Sequence, residues 1–260
     1  MKAVLYVVGD GYAAFAEHAS VVTFVQLRTL LLEKAIDWST TDLAQGLGLE
    51  SAQLRMIRGE LLAAGAPPHV AKHFEREHAP LALTHKHTAE HVLIGPPRRV
   101  DHDNFSFDVV LTSVHDRLSD HVTGQHVSGM LLIEAGRQAA AVALETVHSD
   151  KSVDYAATWS ALRASFQSFA FPLPMTIHAT VDSGAPARAN KVDTRVAITI
   201  RQLDRTVAKL EYEIPLTRMT LLKKLEQRSA LRSIEYASEH ASPSPASMEL
   251  RLDIQPETRP

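Results

Sequence analysis

Glu134, Arg137 and Gln138 stand at i, i+3 and i+4 within residues 128–140, Ser-Gly-Met-Leu-Leu-Ile-Glu-Ala-Gly-Arg-Gln-Ala-Ala, whose other members are almost all apolar. In a helix that spacing puts all three side chains on one face. A helix apolar nearly all round belongs inside a protein. A carboxylate there is costly unless it is paired, hydrogen-bonded or engaged in chemistry. As a general base, Glu134 would activate a hydroxyl or water against a carbonyl. As an acid, with its pKa raised by burial, it would protonate a departing hydroxyl while a histidine takes a proton. As a nucleophile it would form an anhydride. Arg137 would hold Glu134 ionised, which favours the base, or would clamp a phosphate or carboxylate through its planar fork. His121 and His126 precede the helix and are the candidate partners in proton transfer. The first-turn backbone N–H groups would offer an oxyanion hole. The competing reading makes Glu134 and Arg137 a structural ion pair at a dimer interface, the histidines loop residues without a role, and Gln138 a helix-orienting hydrogen-bonder.

The elements that must position these residues can be read along the chain. At 260 residues, with 45% hydrophobic and 22% charged content, the chain is long enough for one generous domain or a domain with an appendage. Residues 1–78 form a first region, a mostly helical appendage. Residues 3–8 read as a short strand, 22–34 as a helix, and 40–64 as a helix pair capped by Thr41 or Asp42 and broken at Gly46 and Gly48. Residues 79–218 read as α+β. Strands are expected over 89–94 and 105–111, then the long apolar helix over 129–147. Further strands follow over 162–168, 175–181, 194–202 and 207–214, with a hairpin tip at Asp204-Arg205. This order suggests an antiparallel sheet wrapped around one central helix. Residues 219–240 read as an amphipathic helix, and 219–260 as a C-terminal helix with a mobile tail.

The local sequence carries a resemblance. His121-Val122-Thr123-Gly124-Gln125-His126-Val127-Ser128-Gly129, running on to Glu134-Ala135, is similar to the signature of β-hydroxyacyl-thioester dehydratases of the hotdog superfamily. There a histidine and a helical glutamate are the acid/base pair; His121 and Glu134 take those positions, and Gly129 and Gln138 match as well. The stretch Gly124-Gln125-His126 followed by Glu134-Ala135-Gly136-Arg137-Gln138-Ala139 is closer to the A-factor biosynthesis hotdog family, of the γ-butyrolactone synthase type. Thr84-His85-Lys86-His87 through Ile94 resembles that family's first strand and its lead-in. The resemblance covers about residues 84–215. It implies a hotdog fold, a homodimer with an acyl-chain tunnel at the joint, and an acyl thioester substrate carried on acyl carrier protein or CoA. It implies Glu134, Arg137 and His121 as catalytic residues, with His126, Gly129 and Gln138 at the substrate. The implied reaction joins a β-ketoacyl thioester to a dihydroxyacetone phosphate hydroxyl in secondary-metabolite or signal biosynthesis. Dehydration and thioester hydrolysis are the alternatives, and a non-catalytic acyl-ligand-binding regulator is the alternative of another class.

Several functions are set aside. The net charge of −3 gives no electrostatic case for nucleic acid or an anionic membrane. Residues 41–55 carry a faint helix-turn-helix pattern, but residues 1–78 hold seven Lys/Arg against nine Asp/Glu, so nucleic acid is not expected. There are no cysteines, hence no disulfides, thiolate metal sites or cysteine nucleophiles. His87-x-x-Glu90-His91 matches a zinc-peptidase pattern that needs a helix, yet it leads into a strand-like run and Pro96-Pro97, so no metal is expected. No apolar run is long enough for a membrane helix, and the N-terminus reads as a strand, not a secretory signal. A cytoplasmic protein without a cofactor of its own is expected, the phosphopantetheine arm belonging to the substrate.

Overall fold

The computed structural model describes residues 2–112, 123–148, 154–184 and 191–240. The central element is the helix α5, Gly129–Val147. Ser128 caps it, its Oγ accepting from Met130 N at 3.3 Å. The run that follows is rich in Ala and Leu, strong helix formers. Leu131, Leu132, Ala135, Ala139, Val142 and Ala143 are buried on the core side. Met130, Ile133, Glu134 and Arg137 form the stripe that the core does not cover, at the i, i+3, i+4, i+7 spacing of one helix face.

A six-stranded antiparallel sheet curves around α5 in the order β4-β5-β8-β10-β11-β7. Its strands are β4 (Arg98–Arg99), β5 (Asn104–Asp108), β7 (Ala161–Phe166), β8 (Thr176–Ser183), β10 (Thr194–Gln202) and β11 (Arg205–Glu213). Along β10, Val196, Ile198 and Ile200 point inward while Arg195, Ala197 and Arg201 face out, the period of two that a one-sided sheet requires. Gly136 allows the helix to approach this sheet. A Cβ there would lie 2.4 Å from Leu210 Cδ1. A second, small sheet orders β6 (Tyr155–Ala157), β12 (Leu216–Arg218) and β9 (Lys191–Val192) as β6-β12-β9, and the exposed helix α6 (Met219–His240) follows.

The first region departs from the expectation of one strand plus helices. Its sheet has three parallel strands, β2-β1-β3, with β1 over Ala3–Val8, β2 over Val21–Thr23 and β3 over Thr41–Gln45. The expected helix over residues 40–48 is therefore a strand, and no helix-turn-helix forms. Leu43 and Gln45 alternate into the interior, and β3 pairs with β1 from Ala3↔Thr41 to Val7↔Gln45. Helices α1 (Phe24–Leu32), α2 (Ser51–Ala63) and α3 (Pro68–Lys72) cover this sheet. Thr23 caps α1 in a capping box with Gln26.

The strand expected over residues 89–94 is also corrected. Ala89–His91 is a single 3₁₀ turn, and the rest is extended chain with one bridge, Ile94 to Val109. Val92, Leu93 and Ile94 are all buried, so there is no alternation. The Leu93 N–H is taken by a side chain of α5 and not by a neighbouring strand.

The first region is joined firmly to the second. Leu47 N donates to Pro172 O and Gly48 N to Leu111 O, at 2.9 and 2.8 Å. Within the first region, Gly9 packs so closely on Gly48 that a Cβ would lie 1.9 Å from the Gly48 oxygen. Gln125 Nε2 donates to Ala14 O at 2.8 Å, which ties the approach to α5 to the first region.

Candidate active site

Glu134 is the centre of a dense hydrogen-bond cluster. Its Oε2 accepts from Arg137 Nε at 2.7 Å, and its Oε1 accepts from Arg137 Nη2 at 2.9 Å, Gln138 Nε2 at 3.0 Å and Lys86 Nζ at 2.7 Å. Two of these partners come from the same helix face. Lys86 comes from across the cleft. The short helix α4 (Leu81–Thr84) ends at His85, whose φ of 53° turns the chain so that Lys86 reaches α5. His85 is itself anchored to α5 through Glu145, at 2.5 Å.

Gln138 is fully buried and fastens the helix to the wall opposite it. Its Oε1 accepts from Leu93 N at 2.9 Å and its Nε2 donates to His91 O at 3.0 Å as well as to Glu134. One amide thus satisfies the buried Leu93 N–H, the His91 carbonyl and one carboxylate, and leaves none of its own polar atoms unpaired. On the other side, Tyr212 of β11 donates its hydroxyl to Ile133 O at 2.7 Å. Burial, together with the Glu134 charge, pushes the Tyr212 pKa well above its ordinary value, so this phenol is a fixed donor and not a base. Trp159 packs edge-on to Tyr212 and lies under the Arg137 guanidinium, 5.6 Å from ring centroid to Cζ.

Glu134, Arg137 and Lys86 line a cleft of about 520 Å³ whose other walls are His91, Leu93, Met130 and Ile133. The Glu134 side chain is 24% exposed, so it faces the cleft and not bulk solvent. Burial alone would raise its pKa, but the hydrogen bonds from Arg137, Lys86 and Gln138 outweigh burial and bring it down to about 2. Glu134 is therefore a carboxylate in this arrangement and not an acid with a proton to give.

Of the sequence-derived candidates, Glu134, Arg137 and Gln138 come together. Gly129 and His126 lie elsewhere. A Cβ on Gly129 would meet the Phe166 ring at 3.0 Å, and His126 packs on Phe169 with centroids 5.1 Å apart. Both aromatics line a separate, larger cleft of about 1020 Å³ beside β7. His121 lies outside the described residues. In the first turn of α5, the N–H groups of Met130, Leu131 and Leu132 are already engaged by Ser128. Lys86, His91, Tyr212 and Trp159 were not expected at the site. Among the described residues no group of three or more His, Asp or Glu lies together to hold a metal ion. Among them, too, no helix is long and apolar enough to cross a membrane.

The family model for the A-factor biosynthesis hotdog domain matches residues 71–218. The chain belongs to that family. The match begins inside α3, so the parallel sheet of the first region stands outside it, while Lys86, Glu134, Arg137, Gln138 and Tyr212 all fall within it. No curated protein matches the chain. Solved structures with a similar fold include a putative thioesterase, a phenylacetic acid degradation-related protein from Ralstonia eutropha. It is 20% identical, covers 62% of this chain and 96% of that one, and has a TM-score of 0.37. A mutant thioesterase from Pseudomonas aeruginosa is 12% identical, over 48% of this chain and 82% of its own, also with a TM-score of 0.37. In this member of the family the hotdog helix is α5, and the cluster around Glu134 sits on its one uncovered stripe.

Proposed function

We propose that the protein is an acyl-thioester enzyme in which Glu134 activates a hydroxyl group for attack on the thioester carbonyl, an A-factor-type acyl transfer. One observation carries this reading: an ionised carboxylate faces a cleft and is held there by two cations, Arg137 and Lys86, that line the same cleft. A carboxylate whose pKa is about 2 is a poor base while those donors stay on it. An acceptor that carries a phosphate draws Lys86 and Arg137 onto itself, since a guanidinium fork and an ammonium both suit phosphate oxygens. Loss of those hydrogen bonds raises the Glu134 pKa toward the range where it takes a proton. The acceptor hydroxyl then gives its proton to Glu134 and its oxygen bonds to the acyl carbon. The carbon–sulfur bond breaks, and the proton passes to the departing thiolate. The products are an ester and the free thiol of acyl carrier protein or CoA. In this reading no cofactor of the protein's own takes part, and the reaction is a cytoplasmic one.

The same geometry disfavours dehydration, which needs a protonated Glu134. Hydrolysis uses the same base with water in place of the hydroxyl, so the products must decide. The enzyme is to be incubated with a 3-oxoacyl thioester of the carrier protein plus dihydroxyacetone phosphate, with a 3-hydroxyacyl thioester of the carrier, and with a saturated acyl thioester of the carrier without an acceptor, and the products weighed by mass spectrometry. The mass of the ester adduct is the expected result. Loss of water, free acid or no turnover overturns the reading in favour of a dehydratase, a thioesterase or a non-catalytic acyl binder.

A second copy completes the assembly in this reading. The strand β7 is the edge of the six-stranded sheet, and five of its six residues are exposed, including Leu162 and Phe166. An exposed apolar edge strand is a template for pairing. Pairing along β7 would cover the aromatic cleft beside it and give the acyl chain a tunnel. Sedimentation at twice the mass of the chain, falling to the single mass in a Leu162→Lys, Ala164→Lys variant, is expected. A native monomer would remove the dimer from the reading.

A further inference from the structure

Trp159 is a large apolar ring, 40% exposed, whose place is nonetheless fixed. It lies in the short link between β6 and β7. Thr158 donates from both N and Oγ1 to Pro215 O, at 3.1 and 3.3 Å. Ser160 donates from both N and Oγ to Glu213 O, at 2.9 and 3.0 Å. Both neighbours of Trp159 are therefore fastened to the chain at the end of β11. Tyr212 of β11 meets the indole edge-on, with centroids 5.2 Å apart and planes at 79°, and its hydroxyl is tied to α5 through Ile133 O. Burial does not explain so fixed a ring. The Arg137 guanidinium above it does, its Cζ 5.6 Å from the ring centroid, within the reach of a cation–π contact.

We propose that Trp159 is the positioning residue for Arg137 and thereby sets the preference for an acceptor that carries a phosphate. The inference rests on the proposed role of Arg137 and Lys86 as the holders of that phosphate. Arg137 has two supports. One is the Glu134 carboxylate, which takes Nε and Nη2. The other is the indole face. Nη1 donates to nothing among the described residues, and no Arg137 nitrogen is a sealed atom without a partner, so Nη1 is open to the cleft that Arg137 lines. The charges on the walls of that cleft are Lys86, Arg137 and Glu134, beside His91, so two cations stand against one carboxylate and the balance favours an anion. When the guanidinium turns its donors to a phosphate, the support from Glu134 is lost. The support from the indole stays, because attraction to a π face does not depend on the carboxylate. Removal of Trp159 is thus buffered by Glu134 in the free protein and unbuffered in the phosphate complex. A contact changes affinity only through such a difference between two states. The walls of the cleft include Arg137 but not Trp159, so the indole acts through the guanidinium.

The full-length native protein, Trp159→Leu and Trp159→Phe are titrated calorimetrically with dihydroxyacetone phosphate and with dihydroxyacetone, in the absence of any acyl donor. The native protein is expected to bind the phosphate ester, and Trp159→Leu to bind it about fivefold more weakly. Trp159→Phe keeps a smaller π face and should lose only about twofold. Dihydroxyacetone, which lacks the phosphate, should be indifferent to either substitution. In turnover, the KM for dihydroxyacetone phosphate should rise by the same factors while kcat holds within about twofold. A ring that served packing alone would lower the unfolding midpoint and leave the phosphate affinity unchanged. If Trp159→Leu does not fold, Trp159→Phe carries the test. No binding of the phosphate ester by the native protein, or an affinity unchanged in a folded variant, would overturn the proposal. Binding that depends on Trp159 without formation of an ester adduct refutes the acyl-transfer reading and upholds this inference. An adduct formed at an unchanged KM in Trp159→Leu refutes this inference alone.

Discussion

Glu134 and Glu60 make an informative pair. Each sits on a helix, each faces a cleft, and each is met by an arginine at 2.7–2.8 Å. Their side-chain exposures are close, 24% and 31%. Exposure therefore does not distinguish them; the supply of donors does. Glu134 receives four hydrogen bonds from three residues, and Gln138 among those is locked to the opposite wall. Glu60 receives one from Arg28, and one of its oxygens has none. The difference separates a carboxylate that is held in one charge state until something competes for its donors from one that is itself short of a donor. Burial of an acid is thus a weak pointer to its role until the donors around it are counted.

The largest expected effect falls on turnover. Glu134→Gln keeps the shape of the cluster but removes the base, and should lower kcat/KM for acyl transfer by about 10²–10⁴-fold. Steady-state kinetics that leave Glu134→Gln within a few-fold of the native enzyme would reduce Glu134 to a structural ion-pair member and make the two sites alike. The next effect falls on stability. Gln138→Leu strands the Leu93 N–H in the interior, frees the His91 carbonyl at the cleft wall and takes one donor from Glu134. Denaturant unfolding should show a loss of about 1–3 kcal/mol. A loss below about 0.5 kcal/mol would mean that the wall relaxes and finds other partners, and that Glu134 is less fixed than its hydrogen bonds indicate.

The Glu134 side of this contrast was legible in the chain and the Glu60 side was not, and what was missed has a common physical cause. The helix over 129–147 and the strand over 194–202 match the structure because each carries its own period in its own residues, a capped apolar run in one and strict alternation in the other. Glu134, Arg137 and Gln138 were visible because their juxtaposition is local to one helix. Residues 41–45 were misread because helix caps and strand ends use the same residue types, and only the pairing with β1, nearly forty residues upstream, decides between them. Residues 89–94 were misread because their N–H partner is the Gln138 side chain, 45 residues away from Leu93. Lys86 and Tyr212 escaped notice for the same reason, with partners 48 and 79 residues distant. A buried strand tyrosine needs an acceptor for its hydroxyl, and that need was the one available signal for Tyr212.

Acid titration sharpens the comparison further. The Glu134 pKa lies at about 2 in the folded state against an ordinary value of 4.5. A depressed folded pKa means that the stabilisation is complete above the unfolded value and is lost as pH falls through the folded one. Native stability should therefore decline between about pH 4.5 and pH 2, and Glu134→Gln should flatten that part of the profile by about 1–2 kcal/mol once solvent screening is allowed for. An unchanged acid limb in the variant would show that the cluster does not hold the charge.

The smallest expected effect concerns the two arginines. A double-mutant cycle between Arg28 and Glu60 should give a coupling of about 0.2–1 kcal/mol, because Arg28 is 42% exposed and reaches a single carboxylate oxygen. The same cycle between Arg137 and Glu134 should give about 1.5–3 kcal/mol. There the guanidinium meets both oxygens, rests on Trp159 and acts on a carboxylate already aimed by Gln138 and Lys86. Cooperation within a partly buried network is what raises the second value, since each added donor narrows the positions the carboxylate can take. Equal couplings in the two cycles would break the comparison at its base. They would mean that Arg137 binds Glu134 no more firmly than a surface pair does, and that the low pKa of Glu134 rests on Lys86 and Gln138 instead.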